Sequence, residues 1–136
     1  MITALAHVCF TVRNLDASIA FYQGKLGFTP AFDFRNDQGR RTGQYLHVGG
    51  RSFVELFEGE VAPPSPKQSY RHLCLEVDDI EKTAADLRAS GLEVSDPKLG
   101  GDQSWQAWLS DPDGNRIELH CYTPGSKQAP WVEHQH

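Results

Sequence analysis

Long apolar runs are missing from this chain of 136 residues: none approaches the roughly 20 residues that a membrane-spanning helix needs, so no span is expected. The first residues also lack a basic segment leading into an apolar stretch and a cleavage site, and no export signal is read there. Positive charge is scarce. Thirteen Lys and Arg stand against 18 Asp and Glu, a formal net charge of −5, which argues against a phosphate backbone as partner. Cysteine is limited to Cys9, Cys74 and Cys121, an odd number that cannot pair off, so a disulfide scaffold is not expected and a reducing cytoplasm is the simplest setting. What remains is ordinary for a globular protein, with 39% hydrophobic and 23% charged residues. The length allows one domain with a real core and leaves no room for two independent ones.

Within that domain the chain repeats itself. Residues 6–18 (AHVCFTVRNLDAS) and 71–83 (RHLCLEVDDIEKT) both pass from a His through an alternating apolar strand, with Cys two places after the His, into an acidic helix start. Residues 53–58 (FVELFE) and 116–121 (RIELHC) each set a Glu-Leu pair inside an apolar strand. The His offset is 65 residues (72 − 7) and the Glu offset 63 (118 − 55), close enough to imply one module written twice. The modules run over about 3–59 and 69–123, with a linker at 60–68 stiffened by Pro63, Pro64 and Pro66. The domain is expected to occupy 1–126, and 127–136, containing His134 and His136, reads as a flexible tail.

Periodicity supports the duplication. Leu15, Ile19, Tyr22 and Leu26 mark one face of a helix that Asn14 can cap and Gly27 can end. Ile80, Ala84 and Leu87 repeat the stripe, with Asp78 or Asp79 as cap and Gly91 as terminator. Strands are expected at 28–35, 42–48 and 52–57, then at 92–95, 105–110 and 116–122, with Asp111-Pro112-Asp113-Gly114 as a turn and Gly49-Gly50 in the equivalent place. Each half is βαβββ. The fold class is therefore α+β, two tandem modules forming a cleft between curved mixed sheets.

Alternate residues of a strand share a face, so His7 lies with Cys9 and Thr11, His72 with Cys74 and Glu76, Glu55 with Phe53 and Phe57, and Glu118 with His120. Leu, Ile and Val fill the opposite parity and pack on the helices. The other face then carries imidazoles and carboxylates. Any one of these alone reads as an ordinary strand residue, but His7, Glu55, His72 and Glu118 recur at matched positions of a repeat. Two neutral imidazoles and two carboxylates balance one divalent cation, and mixed N and O donors suit Ni, Zn, Co, Mn or Fe(II). Four protein ligands on an octahedral ion leave two positions for water or substrate.

The chain resembles the vicinal oxygen chelate superfamily, which contains glyoxalases, bleomycin-resistance proteins and extradiol dioxygenases. The resemblance runs from about Leu5 to Tyr122 and rests on His7, the segment Ser18–Phe28 (SIAFYQGKLGF), His72 and Asp111–Leu119 (DPDGNRIEL). It implies paired βαβββ modules with a metal between them that chelates adjacent substrate oxygens. The order His, Glu, His, Glu is similar to the glyoxalase I branch. Extradiol and fosfomycin-modifying enzymes lack the first Glu ligand, epimerases have Gln there, and antibiotic-sequestering members lack the ligands. The resemblance thus implies a metal-dependent lyase or isomerase in which Glu118 moves a carbon-bound proton through a metal-stabilised enediolate, with Glu55 a second base or a ligand only. Two other readings stand beside it: another metalloenzyme of this fold, such as an Fe(II) dioxygenase or an epimerase, and a non-catalytic small-molecule-binding or resistance protein.

The substrate stays open. Glyoxalase I enzymes place an Arg four residues after the first His, where this chain has Thr11; Arg13 either compensates or is a solvated charge. The loop Gly100–Gln106 is rich in groups that suit a small oxygenated or sugar-like metabolite, which competes with a thiol adduct as substrate. Trp108, Phe53, Thr11, Gln106 and His120 are the candidate substrate contacts, although Trp108 also reads as core and His120 as a surface residue. Cys9 and Cys74 read as small residues lining the cleft, and His47 with Tyr45 is ambiguous. Exposed sheet edges and the family habit both point to a homodimer, with the site formed within one chain or across two.

Overall fold

The structure, a computed structural model, describes residues 1–132. The chain divides into two compact units, Met1–Pro64 and the part from Ser65 onward, so the boundary falls inside the proline-rich linker. In the first unit β1 (His7–Val12) leads into α1 (Leu15–Ile19), which continues as a π-helical segment, Ala20–Lys25; β2 (Thr29–Arg35), β3 (Arg41–Gly49) and β4 (Ser52–Glu58) follow. The second unit contains β5 (Leu73–Glu76), α2 (Ile80–Ala89), β6 (Lys98–Leu99), β7 (Trp105–Ser110), β8 (Arg116–Cys121) and a short α3 (Ala129–Val132). Each unit forms one mixed four-stranded sheet, ordered β1-β4-β3-β2 and β5-β8-β7-β6. The expected α+β class built on a repeated βαβββ module is what the chain adopts. No helix among the described residues is long and apolar enough to cross a membrane.

The alternation read from sequence decides which face of each sheet is covered. In unit 1, Phe10 and Val12 of β1, Leu46 of β3, and Val54 and Leu56 of β4 are buried, together with Leu15, Phe21 and Tyr22 of the helix. In unit 2, Ala107, Leu109, Ile117 and Leu119 are buried with Ile80, Ala84 and Leu87 of α2. Leu73, Leu75 and Val77 share the apolar parity but are only half-buried. Both helices start at side-chain caps: Asn14 Oδ1 accepts from Ala17 N at 3.0 Å and Asp79 Oδ1 from Lys82 N at 2.9 Å. Gly27 and Gly91, at φ +79° and +97°, take the left-handed conformation that ends a helix without a Cβ clash. Asp111 braces the turn before β8, its carboxylate accepting from Asp113 N at 3.0 Å and from Asn115 N at 2.8 Å.

Three expectations need correction. The first helix does not keep the α-helical period: Leu26 N donates to Phe21 O at 3.0 Å, a five-residue step, and the added width turns Phe21 and Tyr22 inward together. Ile19 and Leu26, expected on the buried stripe, are half-buried as a result. The strand expected at 92–95 is absent, and β6 is only Lys98–Leu99. Ser95 joins β7 through its own atoms instead: its N–H donates to Trp108 O at 2.9 Å and its Oγ accepts from Trp108 N at 2.8 Å, just before Pro97 removes a donor. The tail read as flexible from residue 127 holds hydrogen-bonded backbone to Val132, with Lys127 N donating to Asp102 O at 2.8 Å and Ala129 buried. Residues 133–136, with His134 and His136, lie outside the described residues.

Three substitutions test this account. Asn14→Ala and Asp79→Ala each remove a cap and are expected to cost about 1 kcal/mol. Leu56→Ala, at a fully buried position, is expected to cost about 2–5 kcal/mol. Urea unfolding checks all three: the midpoint should fall further for Leu56→Ala than for either cap variant, with an unchanged slope.

Candidate functional site

Parallel pairing of the first and last strand of each unit builds the candidate donors. In unit 1, His7 stands opposite Phe53 and Cys9 opposite Glu55. His7 and Glu55 therefore lie diagonally on the sheet face that the helix does not cover, with His7 Nε2 3.8 Å from Glu55 Oε1. The Glu55 side chain is 18% exposed and that of His7 40%. Tyr45 meets the His7 ring edge-on at 5.5 Å and Phe53 at 5.2 Å, so the pair sits among aromatic rings. Phe32 stacks on Tyr45 at 4.7 Å and extends that surface. His47, ambiguous in the sequence, is tied to its turn by an Nε2–Gly50 O contact of 2.9 Å. Thr11 is exposed further along β1, opposite Phe57. Arg13 is no freely solvated charge: its Nη2 donates to Val61 O at 3.0 Å.

Unit 2 repeats the pair. His72, just before β5, places Nε2 3.6 Å from Glu118 Oε2, and Cys74 stands opposite Glu118 as Cys9 does opposite Glu55. The His72 side chain is 37% exposed and that of Glu118 13%. Trp108 pairs with Glu118 in register and meets His72 edge-on at 4.9 Å. The Arg116 guanidinium lies 4.3 Å above the Trp108 ring, a cation–π contact that fixes this aromatic wall. Trp108 and Arg116 also line an open pocket of about 590 Å³ beside Gly91–Ser95, which includes neither His72 nor Glu118. Gln106 is half-buried, opposite His120 in β8.

His120 differs from its expected character. It is buried, 7% exposed, and neither ring nitrogen has a hydrogen-bond partner. Nδ1 lies 3.7 Å from Glu118 Oε2 and Nε2 3.7 Å from Asp102 Oδ2. The surface reading fails because residues 123–128 bond back over the loop at 102–104, with Thr123 Oγ1 donating to Gln103 O at 2.7 Å and Gln128 Nε2 to Asp102 Oδ2 at 2.7 Å. Sequence reasoning named Asp102 only within the loop Gly100–Gln106 and singled out neither Phe32 nor Arg116. The alternation of Phe32 with Phe34 signals the first, whereas only tertiary contact reveals Asp102.

The separations within each pair bear on a metal. At 3.6 and 3.8 Å, imidazole and carboxylate are too far apart for a hydrogen bond. Donors about 2.0–2.2 Å from a shared divalent cation stand roughly 3–3.5 Å apart, so a small side-chain adjustment lets each pair chelate. The cysteines report the charge that a cation would neutralise. Burial, then a hydrogen bond to Glu55 and its negative charge, pushes the Cys9 thiol up to about 11. The same causes, with Glu118 in place of Glu55, raise the Cys74 thiol further above its ordinary range. Both stay protonated at neutral pH and donate to the carboxylate beside them. The residues present fit a divalent cation.

Comparison with known proteins agrees with this fold. Residues 4–119 match the family model described as the Glyoxalase/Bleomycin resistance protein/Dioxygenase superfamily. A lactoylglutathione lyase of Haemophilus influenzae is 33% identical over 122 residues, covering 85% of this chain and 90% of that protein. The metallothiol transferase FosB of Staphylococcus epidermidis is 28% identical over 127 residues, covering 90% and 84%. Among solved structures, a glyoxalase family protein from Enterococcus faecalis superposes with a TM-score of 0.75 at 28% identity, covering 86% of this chain and 96% of that one. With the sheet order, the repeated His–Glu pair and the matched residues in agreement, this chain belongs to the Glyoxalase/Bleomycin resistance protein/Dioxygenase superfamily.

Proposed function

We propose that the protein is a divalent-metal-dependent lyase or isomerase of glyoxalase I type, acting on a small substrate with adjacent oxygens. The observation that carries this reading is the repeated pair: His7 with Glu55 at 3.8 Å and His72 with Glu118 at 3.6 Å, at equivalent positions of two units. His7 with Glu55 is one candidate ligand pair and His72 with Glu118 the other, with one cation per site. Glu55 favours the glyoxalase I type over members that lack a carboxylate in the first half. The similarity to a lactoylglutathione lyase supports the same reaction class.

When bound, a cation of the Ni, Zn, Co, Mn or Fe(II) group supplies Lewis-acid compensation for charge developing on substrate oxygen. The chain's own residues do the rest. Glu118 is the base: its carboxylate takes the carbon-bound proton and returns it to the neighbouring carbon. The Cys74 thiol donates to Glu118 and so restricts the rotation of that carboxylate. Trp108, braced by Arg116 and set edge-on to His72, walls the unit 2 pair, while Phe53 and Tyr45 make the unit 1 pair's surroundings apolar. Thr11, Gln106 and His120 are further candidate contacts. Thr11 stands where glyoxalase I enzymes carry an arginine for the glutathione carboxylate, which leaves room for a substrate other than a glutathione adduct. The similarity to a metallothiol transferase favours a second reading, metal-dependent transfer of a thiol.

The test is an assay of metal-depleted protein with the hemithioacetal of glutathione and a 2-oxoaldehyde, and with other 2-hydroxycarbonyl compounds. Chelation should abolish turnover, and one equivalent of Ni, Co, Zn or Mn per chain should restore it; full turnover in chelator rejects the proposal. Glu118→Gln should lower kcat on the order of 10²- to 10⁴-fold with a smaller change in KM. Thiol consumption with an electrophilic acceptor, without isomerisation, would favour the second reading.

A further inference from the structure

The two units match closely at the His–Glu pair and then part company two residues later. Phe57 follows Glu55 in β4, whereas His120 follows Glu118 in β8. The added imidazole is buried, and both its nitrogens lack partners. Leaving two polar atoms unsatisfied costs free energy wherever water is excluded, and a phenyl ring in the other copy shows that the sheet does not require it. The Cys74 sulfur, a Glu118 oxygen and a His120 nitrogen all lie within 4.8 Å of one another.

We propose that Cys74, Glu118 and His120 form a second cation position, confined to unit 2, that takes a thiolate-seeking divalent ion of the Zn or Co class. Tetrahedral donors about 2.0–2.3 Å from such an ion stand roughly 3.5 Å apart; the His120 Nδ1–Glu118 Oε2 separation is 3.7 Å. Nδ1 is then the ligand. Nε2 then carries the proton and faces Asp102 Oδ2 at 3.7 Å, a small adjustment short of the hydrogen bond by which a carboxylate fixes the tautomer of a metal-bound imidazole. Asp102 is itself held by Gln128 Nε2 at 2.7 Å and Ser104 N at 3.0 Å. Binding exchanges the Cys74 thiol proton for the cation, the proton passes to solvent, and no redox change occurs. A sulfur ligand distinguishes this position from the N and O set proposed for the four-residue site, and Mg or Ca should not occupy it. The position does not rest on the enzymatic reading, although both use Glu118.

The test is titration of the metal-free full chain with Co²⁺, read by absorption. Thiolate coordination gives a sulfur-to-cobalt charge-transfer band, and in wild type it should grow and saturate with Co²⁺. Cys74→Ser, at an exposed position, should remove the band, while Cys9→Ser and Cys121→Ser keep it. His120→Phe copies the other repeat, which makes a folded variant expected by circular dichroism, and should weaken binding about 10- to 100-fold. A double variant, His7→Ala with Glu55→Ala, should keep the band even if it is inactive, which separates failure of the enzymatic reading from failure of this one. Absence of the band in wild type, its survival in Cys74→Ser, or its loss in the unit 1 double variant would overturn the proposal.

Discussion

The structure depends on one pairing made twice: the last strand of each unit returns to lie parallel to the first. β4 beside β1 and β8 beside β5 bring donors that are distant in sequence onto one sheet face, while the helix between them covers the other. Parallel neighbours need a crossover, and the capped helix supplies it. Were β4 shifted by one residue, Glu55 would turn into the apolar layer and Leu56 out of it, so core packing and donor placement enforce the same register. This coupling explains why the pair geometry repeats to within 0.2 Å (3.8 − 3.6) although the cores differ in composition.

A shared pairing also leaves room for divergence. Around His7 the neighbours are aromatic, with Tyr45, Phe53 and Phe32 in sequence of contact. Around His72 one aromatic ring, Trp108, is joined by charged groups, with Arg116 over Trp108 and Asp102 beside His120. One duplicated scaffold thus presents an apolar surface in one copy and a carboxylate-rich one in the other. The family has enzymes named both lyase and transferase among its members, and differences of this kind, grafted on a constant frame, separate such activities.

Much of this was legible in the chain. Period-two alternation marked which face carries His7, Cys9, Glu55 and Glu118, because a half-covered sheet leaves its signature residue by residue. Caps at Asn14 and Asp79 and the turn at Asp111 were legible for the same reason, since each depends on neighbours within a few positions. Three things were not. The π-helical step at Ala20–Lys25 shifts a stripe by one residue, a change smaller than the tolerance of a 3.6-residue period. The lost strand at 92–95 has a strand's composition, but Ser95 uses its hydroxyl where a ladder bond would stand. His120 looks exposed until Asp102, held by Gln128, is brought beside it, a tertiary contact that no local pattern encodes.

The parallel return has a consequence for how the protein forms. His7 and Glu55 are 48 positions apart (55 − 7), and His72 and Glu118 are 46 apart (118 − 72). Neither pair exists until its closing strand has docked, and non-local strands of this kind assemble slowly because loop entropy must be overcome first. The closing of each His–Glu pair thus reports the docking of that unit's final strand, separately from the growth of its helix.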